Sequence, residues 1–139
     1  MVLGMFNFGN YSYQQQPISK KNILIVDDNS MILRNIKAIL NADYEVSVAP
    51  SGKHAFRVIE ENKPDLILLD YEMPEMNGKE VFQKLSQDEN LKDIPVVFLT
   101  GTDSKQRVYD LLSLKPAGYI LKPADPDALL EKIKEILGK

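Results

Sequence analysis

The sequence predicts an α/β protein in which one parallel sheet of five strands is covered by helices on both faces. The first observation is a set of short apolar runs such as Leu66–Leu69, which are too short for typical helices and apolar on both faces. The second is that amphipathic helical patterns alternate with these runs five times. Because parallel strands are joined by right-handed crossovers, this alternation places the helices on both faces of one sheet.

The composition limits the functions that the chain can have. It has 139 residues, no cysteine, a single histidine (His54) and a formal net charge of −3. This length favours one domain, and the lack of cysteine excludes disulfides and thiolate metal sites. The charge gives no electrostatic footprint for nucleic acid. No apolar run approaches the roughly 20 residues of a membrane span, and the start does not resemble a signal peptide. We therefore expect a cytoplasmic protein without nucleic-acid or membrane binding.

Residues 1–19 differ from the rest of the chain. They contain no charged side chain, three consecutive glutamines and four aromatic residues, Phe6, Phe8, Tyr11 and Tyr13. They show no helical or strand periodicity, so we expect a disordered tail before a folded domain over residues 20–139. The alternative is a short aromatic segment that docks on this domain or on a partner, since aromatic residues are uncommon in disordered tails.

The first half of the domain contains two strands, each followed by a helix. A buried strand is predicted over residues 22–26, and Asn29 or Ser30 can cap the helix that follows. A second strand is predicted over Glu45–Ala49, and Ser51 caps the next helix. The two helices are expected to bury the following apolar residues: Ile32, Ile36, Ile39 and Leu40 in the first, and Ala55, Phe56, Val58 and Ile59 in the second.

The second half repeats this alternation three times. The central strand Leu66–Asp70 precedes a helix from about Asn77 to Gln87, and the fourth strand, Val96–Leu99, ends at Thr100. A helix then starts at Asp103 or Ser104, a fifth strand covers residues 119–121, and Asp125 or Asp127 starts the last helix. Gly138 is placed to end that helix. The apolar residues expected on these three helices are Val81, Phe82 and Leu85, then Val108, Leu111 and Leu112, then Leu129, Leu130, Ile133, Ile136 and Leu137.

Polar residues follow four of the five strands at their carboxyl ends, where open α/β sheets gather their chemistry. Asp27 and Asp28 follow the first strand, Asp70 ends the third, Thr100 the fourth, and Lys122 follows the fifth. If the first and third strands are neighbours, three carboxylates converge, and their repulsion favours a bound cation. Hard oxygen donors without nitrogen or sulfur ligands predict Mg²⁺ or a similar ion.

The same residues could stabilise a phosphoryl group in transfer. A metal ion, the ammonium of Lys122, the hydroxyl of Thr100 and backbone N–H groups are the groups that this chemistry requires. Asp70 would be the nucleophile and would form an acyl phosphate.

From Lys20 to its end, the chain is similar to the receiver domains of bacterial two-component response regulators, including stand-alone regulators of the chemotaxis type. Four motifs carry this resemblance, in the order and at the spacing of the family: Ile-Leu-Ile-Val-Asp-Asp-Asn, Leu-Ile-Leu-Leu-Asp-Tyr-Glu-Met-Pro-Glu-Met-Asn-Gly, Val-Val-Phe-Leu-Thr-Gly and Gly-Tyr-Ile-Leu-Lys-Pro. The resemblance implies a flavodoxin-like (βα)5 three-layer sandwich with strand order 2-1-3-4-5.

The resemblance also implies roles for the residues at the strand ends. Asp70 matches the phosphoacceptor, supplied by a histidine kinase or a histidine phosphotransfer protein. Asp28 matches a direct Mg²⁺ ligand, Asp27 an acidic neighbour that acts through water, and the backbone carbonyl of Glu72 completes the coordination. Lys122 matches the lysine that pairs with the phosphoryl oxygens, and the peptide bond after it is usually cis.

Thr100 and Tyr119 match the switch pair of the family. In that scheme Thr100 moves to the phosphoryl group, the ring of Tyr119 turns inward, and the surface of the fourth helix, fifth strand and fifth helix changes its affinity for a downstream protein. A dianion at Asp70 would offer Thr100 and Lys122 new charge-assisted hydrogen bonds. Glu72 places a second acid beside this site, so Glu72→Ala is expected to change the rate of autodephosphorylation, with no sign predicted.

Two other functions remain as alternatives. One is a Mg²⁺-dependent phosphohydrolase with an aspartyl-phosphate intermediate, for which Glu72 would supply the acid–base group; however, such enzymes carry the nucleophile near the first strand and need a substrate cap. The other is a pseudo-receiver that binds its partner without phosphorylation, which the complete acidic set disfavours. A dimer that forms on phosphorylation, and a position inside a longer regulator, also remain open.

Overall fold

The computed structural model describes residues 20–101 and 105–138 of the chain. The tail predicted over residues 1–19 and the helix start predicted at Asp103 or Ser104 lie outside them. Within the described residues, five strands alternate with five helices: β1 Asn22–Val26, α1 Ser30–Leu40, β2 Glu45–Ala49, α2 Gly52–Glu61, β3 Leu66–Asp70, α3 Gly78–Ser86, β4 Val96–Thr100, α4 Lys105–Leu112, β5 Gly118–Leu121 and α5 Pro126–Leu137.

The five strands form one parallel sheet in the order β2-β1-β3-β4-β5. This order confirms the strand order 2-1-3-4-5 that the resemblance implies. β3 and β4 are buried along their whole length, as their continuous apolar runs predict. Since β1 and β3 are neighbours, the residues at their carboxyl ends meet at one edge of the sheet.

Two apolar clusters cover the two faces of the sheet. One contains Phe98 and receives α2, α3 and α4; the other contains Leu68 and receives α1 and α5. The expected inward face of α1 needs one correction, because Leu33 is buried whereas Ile32 and Ile39 are half-buried. The buried stripe of this helix is therefore centred on Leu33, Ile36 and Leu40, which share one helical face.

The helix ends follow from capping residues. The side chain of Asn29 accepts hydrogen bonds from the backbone N–H groups of Met31 and Ile32, and Ser51 and Asp125 cap α2 and α5 in the same way. Gly138 ends α5 in the left-handed conformation (φ 77°). Within the described ranges, no helix has both the length and the apolarity that crossing a membrane requires.

Candidate functional site at the carboxyl edge of the sheet

Three carboxylates converge where β1 and β3 end. Asp27, Asp28 and Asp70 each offer a carboxylate oxygen, and these oxygens lie within 4.8 Å of one another. Asp27 and Asp70 are buried, whereas Asp28 is exposed. Asp27 follows β1 directly, and Asp70 is the last residue of the neighbouring strand β3, so the parallel pairing brings the two together.

The ammonium of Lys122 lies between the two buried carboxylates. Its Nζ is 3.1 Å from Oδ2 of Asp27 and 3.1 Å from Oδ1 of Asp70. Lys122 follows the edge strand β5, and its peptide bond to Pro123 is cis, as the resemblance implies. The lysine therefore compensates part of the negative charge that the fold concentrates at this edge.

Backbone N–H groups fix the orientation of both buried acids. Oδ1 of Asp27 accepts a hydrogen bond of 2.9 Å from the N–H of Asn29, and Oδ1 of Asp70 accepts one of 3.2 Å from the N–H of Glu72. Each donor lies two residues after its acceptor, the local pattern that Asp forms in turns. The carboxylates are thus held in place before any ligand arrives.

Burial and charge shift two pKa values in this cluster. Burial, followed by the neighbouring Asp27 carboxylate, raises the pKa of Asp70 from 3.8 to about 7, although Lys122 opposes the shift. For Lys122, burial lowers the pKa, but the hydrogen bonds to Asp70 and Asp27 outweigh it and raise the pKa above its usual value. The site therefore favours a lysine cation and disfavours a second full negative charge.

The three carboxylates fit a divalent cation of the Mg²⁺ type. They supply hard oxygen donors, and neither a thiolate nor an imidazole lies among them. The exposed Asp28 leaves the cluster accessible from solvent. The cluster is the one such group of potential metal ligands found in the described part of the chain.

The hydroxyl of Thr100 is directed to Glu72. Thr100 is fully buried at the end of β4, and its Oγ1 donates a hydrogen bond of 2.8 Å to Oε2 of Glu72. The same oxygen of Glu72 forms an ion pair with the guanidinium of Arg107 on α4. The Arg107 Cζ also lies 5.7 Å from the centre of the Tyr71 ring.

Tyr119 lies away from the acid cluster. It pairs in register with Phe98 of β4, two residues before Thr100, and is half-buried against the core that contains Phe98. Because side chains two residues apart share one face of a strand, Tyr119 lies on the same face as Thr100.

Sequence reasoning missed Arg107. It identified Asp27, Asp28, Asp70, Thr100 and Lys122 because each lies at the end of a strand. Arg107 lies within a helix, and its partner Glu72 is 35 residues away, so no local spacing indicates the pair.

Comparison with known proteins places the chain in a family. The sequence profile of the response regulator receiver domain matches residues 23–134. The chain is 36% identical to the chemotaxis protein CheY1 of Helicobacter pylori over 119 residues, which are 84% of this chain and 96% of CheY1. It is 38% identical to the phosphate regulon transcriptional regulatory protein PhoB of Pseudomonas aeruginosa over 120 residues, and it spans about half of that relative (52%).

A solved structure agrees with these sequence matches. The fold resembles the chemotaxis protein CheY4 of Vibrio cholerae with a TM-score of 0.78 and 27% sequence identity, covering 85% of this chain and 99% of CheY4. The chain belongs to the response regulator receiver domain family of two-component signalling, and its fold is the flavodoxin-like fold of that family.

Proposed function

We propose that this receiver domain accepts a phosphoryl group on Asp70 from a phosphohistidine donor and thereby switches its affinity for a downstream protein. The observation that carries the proposal is the position of Asp70. Its carboxylate is buried and is oriented by a backbone N–H group. It accepts a hydrogen bond from Lys122, and it lies close to the carboxylates of Asp27 and Asp28. An acid in these surroundings is arranged for chemistry with a cation and an anion.

Mg²⁺ would be held by Asp28 and Asp70, by Asp27 through water and by the backbone carbonyl of Glu72, and it would neutralise charge on the acids and on the phosphoryl oxygens. A carboxylate oxygen of Asp70 attacks phosphorus, the P–N bond to the donor imidazole breaks, and the imidazole leaves with that electron pair. Lys122, already 3.1 Å from Asp70, then forms an ion pair with the phosphoryl oxygens. Water later cleaves the acyl phosphate and restores Asp70.

The donor is a sensor histidine kinase or a histidine phosphotransfer protein, the partners with which receiver domains of this family interact. On the output side, α4 and β5 expose three large apolar side chains. Tyr109, Leu112 and Leu121 are 71%, 47% and 43% exposed, and they line one surface groove together. A contiguous exposed apolar patch is typical of a protein interaction site. We assign the downstream contact to the surface of α4, β5 and α5, with Thr100 and Tyr119 linking it to Asp70.

The test is phosphorylation of the whole chain by acetyl phosphate, a small-molecule phosphoryl donor. With Mg²⁺, the wild type should gain one phosphoryl group per chain on a phosphate-affinity gel, and chelation of the metal should prevent this. Asp70→Asn should gain none, whereas the matched control Asp93→Asn, an exposed acid before β4, should behave as the wild type. Many turnovers of a phosphate ester per chain would instead indicate a phosphohydrolase, and labelling of Asp70→Asn would overturn the assignment.

A further inference from the structure

We propose that Glu72 and Arg107 form a latch that holds the hydroxyl of Thr100 in the unphosphorylated protein and ties α4 to the acceptor loop. This inference rests on the proposed function, because the latch is released when Asp70 gains a phosphoryl group. Glu72 and Arg107 are positioning residues in this scheme, since they act through Thr100 and α4.

The hydroxyl of Thr100 has a single proton to donate. A hydroxyl donates one hydrogen bond, and here it donates to Oε2 of Glu72 at 2.8 Å. It cannot donate to Glu72 and to a phosphoryl oxygen on Asp70 at the same time. Capture of the phosphoryl group by Thr100 therefore requires an exchange of partners, which gives the switch a defined resting state.

The carboxylate of Glu72 connects three parts of the protein. Its carboxylate lies after β3, and it accepts from Thr100 at the end of β4, from the N–H of Gly101 at 3.4 Å, and from Arg107 on α4. Arg107 also packs over the ring of Tyr71, the residue between Asp70 and Glu72. One side chain thus links the acceptor loop, the switch hydroxyl and the helix of the output surface.

Helix α4 has little buried surface to hold it against the sheet. Leu111 is its one buried residue, whereas α1, α2 and α3 each have three and α5 has two. A helix with little buried surface is more sensitive to the loss of a single ion pair than one anchored in the core. The Arg107–Glu72 pair is therefore suited to control the position of α4.

Phosphorylation of Asp70 adds charge that favours opening of the latch. A phosphoryl group on Asp70 adds a dianion two residues before Glu72, and this charge repels the Glu72 carboxylate. The side chains of Arg107 and Glu72 are 39% and 35% exposed, so solvent weakens their pair and it can break at low cost. The dianion then offers Thr100 a charged acceptor in place of the Glu72 carboxylate.

The experiment uses the whole chain with Mg²⁺ and beryllofluoride as a phosphoryl mimic. Backbone hydrogen exchange is measured for residues 109–113 in the free and beryllofluoride-bound protein. In the free state, Glu72→Gln and Arg107→Gln should each exchange roughly threefold to tenfold faster than the wild type, the scale of a partly exposed ion pair. In the bound state the three proteins should exchange alike, because the latch is already open.

Because the latch and beryllofluoride binding are thermodynamically linked, beryllofluoride affinity gives a second readout. If Glu72 stabilises only the free state, Glu72→Gln must bind beryllofluoride more tightly by a similar factor. Arg107→Lys, which keeps the charge but lacks the planar guanidinium, should retain part of the protection. The control Glu60→Gln, an exposed acid on α2, should match the wild type in both measurements.

Two results would overturn the latch. One is equal acceleration by the variants in both states, or in neither, which would make the pair an ordinary surface ion pair. The other is weaker beryllofluoride binding by Glu72→Gln. A wild type that does not bind beryllofluoride at Asp70 would overturn the proposed function as well, whereas a wild type that binds it while the variants fail these tests would overturn the latch alone.

Discussion

Nζ of Lys122 lies 3.1 Å from Oδ1 of Asp70, although 52 residues separate the two in sequence. The same nitrogen lies 3.1 Å from Asp27, and both acids are buried. Removal of one partner from a buried charge pair leaves an uncompensated charge, which is far more costly than loss of a surface pair. The lysine is thus required for stability as long as no other cation occupies the site.

The first prediction follows for Lys122→Met. In Mg²⁺-free buffer this variant should lose about 3 kcal/mol of unfolding free energy in urea titrations. Added Mg²⁺ should stabilise it more than it stabilises the wild type, because the metal no longer competes with an ammonium. Lys63→Met, an exposed lysine before β3 at the opposite edge of the sheet, is the matched control. Equal losses in both variants would contradict the prediction.

The second prediction concerns pH and Asp70. Its pKa is raised from 3.8 to about 7 in the folded protein, mainly by burial. Between these values the folded state holds a proton that the unfolded state has lost, so this group makes stability fall as the pH rises from about 4 to about 7. At about 1.4 kcal/mol per unit of pKa difference, the cost approaches roughly 4 kcal/mol at neutral pH.

Asp70→Asn has no such titration. Without Mg²⁺, it should therefore be more stable than the wild type at pH 8, and the difference should shrink steadily toward pH 4. The measurement is urea unfolding at several pH values with a chelator present, with Asp93→Asn as control. A difference between Asp70→Asn and the wild type that does not change with pH would show that Asp70 ionises in the folded protein as it does in the unfolded chain.

Gly78 provides a third prediction, about the loop that carries the acceptor. A Cβ at Gly78 would collide with the backbone oxygen of Asp70 and would lie 2.8 Å from Cα of Tyr71. Backbone atoms cannot move aside as a flexible side chain can, so Gly78→Ala must displace the end of β3. It should cost about 1–3 kcal/mol and also slow labelling by acetyl phosphate.

Gly118→Ala is the matched control for this change. Its Cβ would meet only the flexible side chain of Lys132, at 3.4 Å. It should leave labelling unchanged. Normal labelling of Gly78→Ala would mean that the acceptor tolerates displacement of its strand.

The sequence predicted the strands and the acid cluster because both depend on local patterns. Continuous apolar runs marked β1, β3 and β4 closely, and capping residues such as Ser51 marked the starts of helices. The carboxyl ends of the strands in a parallel sheet lie at the same edge. The meeting of Asp27 and Asp70 therefore required only that β1 and β3 be neighbours.

The contacts of Glu72 could not be predicted in the same way. The contact with Arg107 depends on how α4 is rotated against the sheet, and a helix with one buried residue carries little periodic signal of that rotation. The contact with Thr100 depends on how the loop after β3 directs the Glu72 side chain toward the end of β4. The sequence placed Glu72 beside the acceptor, but it did not indicate that Thr100 donates to it or that Arg107 pairs with it. The catalytic and metal-binding roles of the strand-end residues stay predictions.

The final prediction separates the two tasks of Thr100. In the proposed scheme its hydroxyl donates to Glu72 in the free protein and to the phosphoryl group afterwards, so a partner is lost in both states when the hydroxyl is removed. Thr100→Val should therefore change beryllofluoride affinity by less than about threefold, since the two losses largely cancel. The response of α4 should be reduced, because only the repulsion between the dianion and the Glu72 carboxylate then remains to open the latch.

Thr100→Ser keeps the hydroxyl and is the control. Both variants are titrated with beryllofluoride and Mg²⁺ by NMR, with Tyr71 reporting binding and Tyr109 and Tyr119 reporting the response. The expected result is saturation at Tyr71 in both variants, with shifts at Tyr109 and Tyr119 that are larger in the serine variant than in the valine variant. A tenfold loss of affinity in the valine variant would mean that the hydroxyl acts mainly on the bound state, and that its bond to Glu72 contributes little at rest.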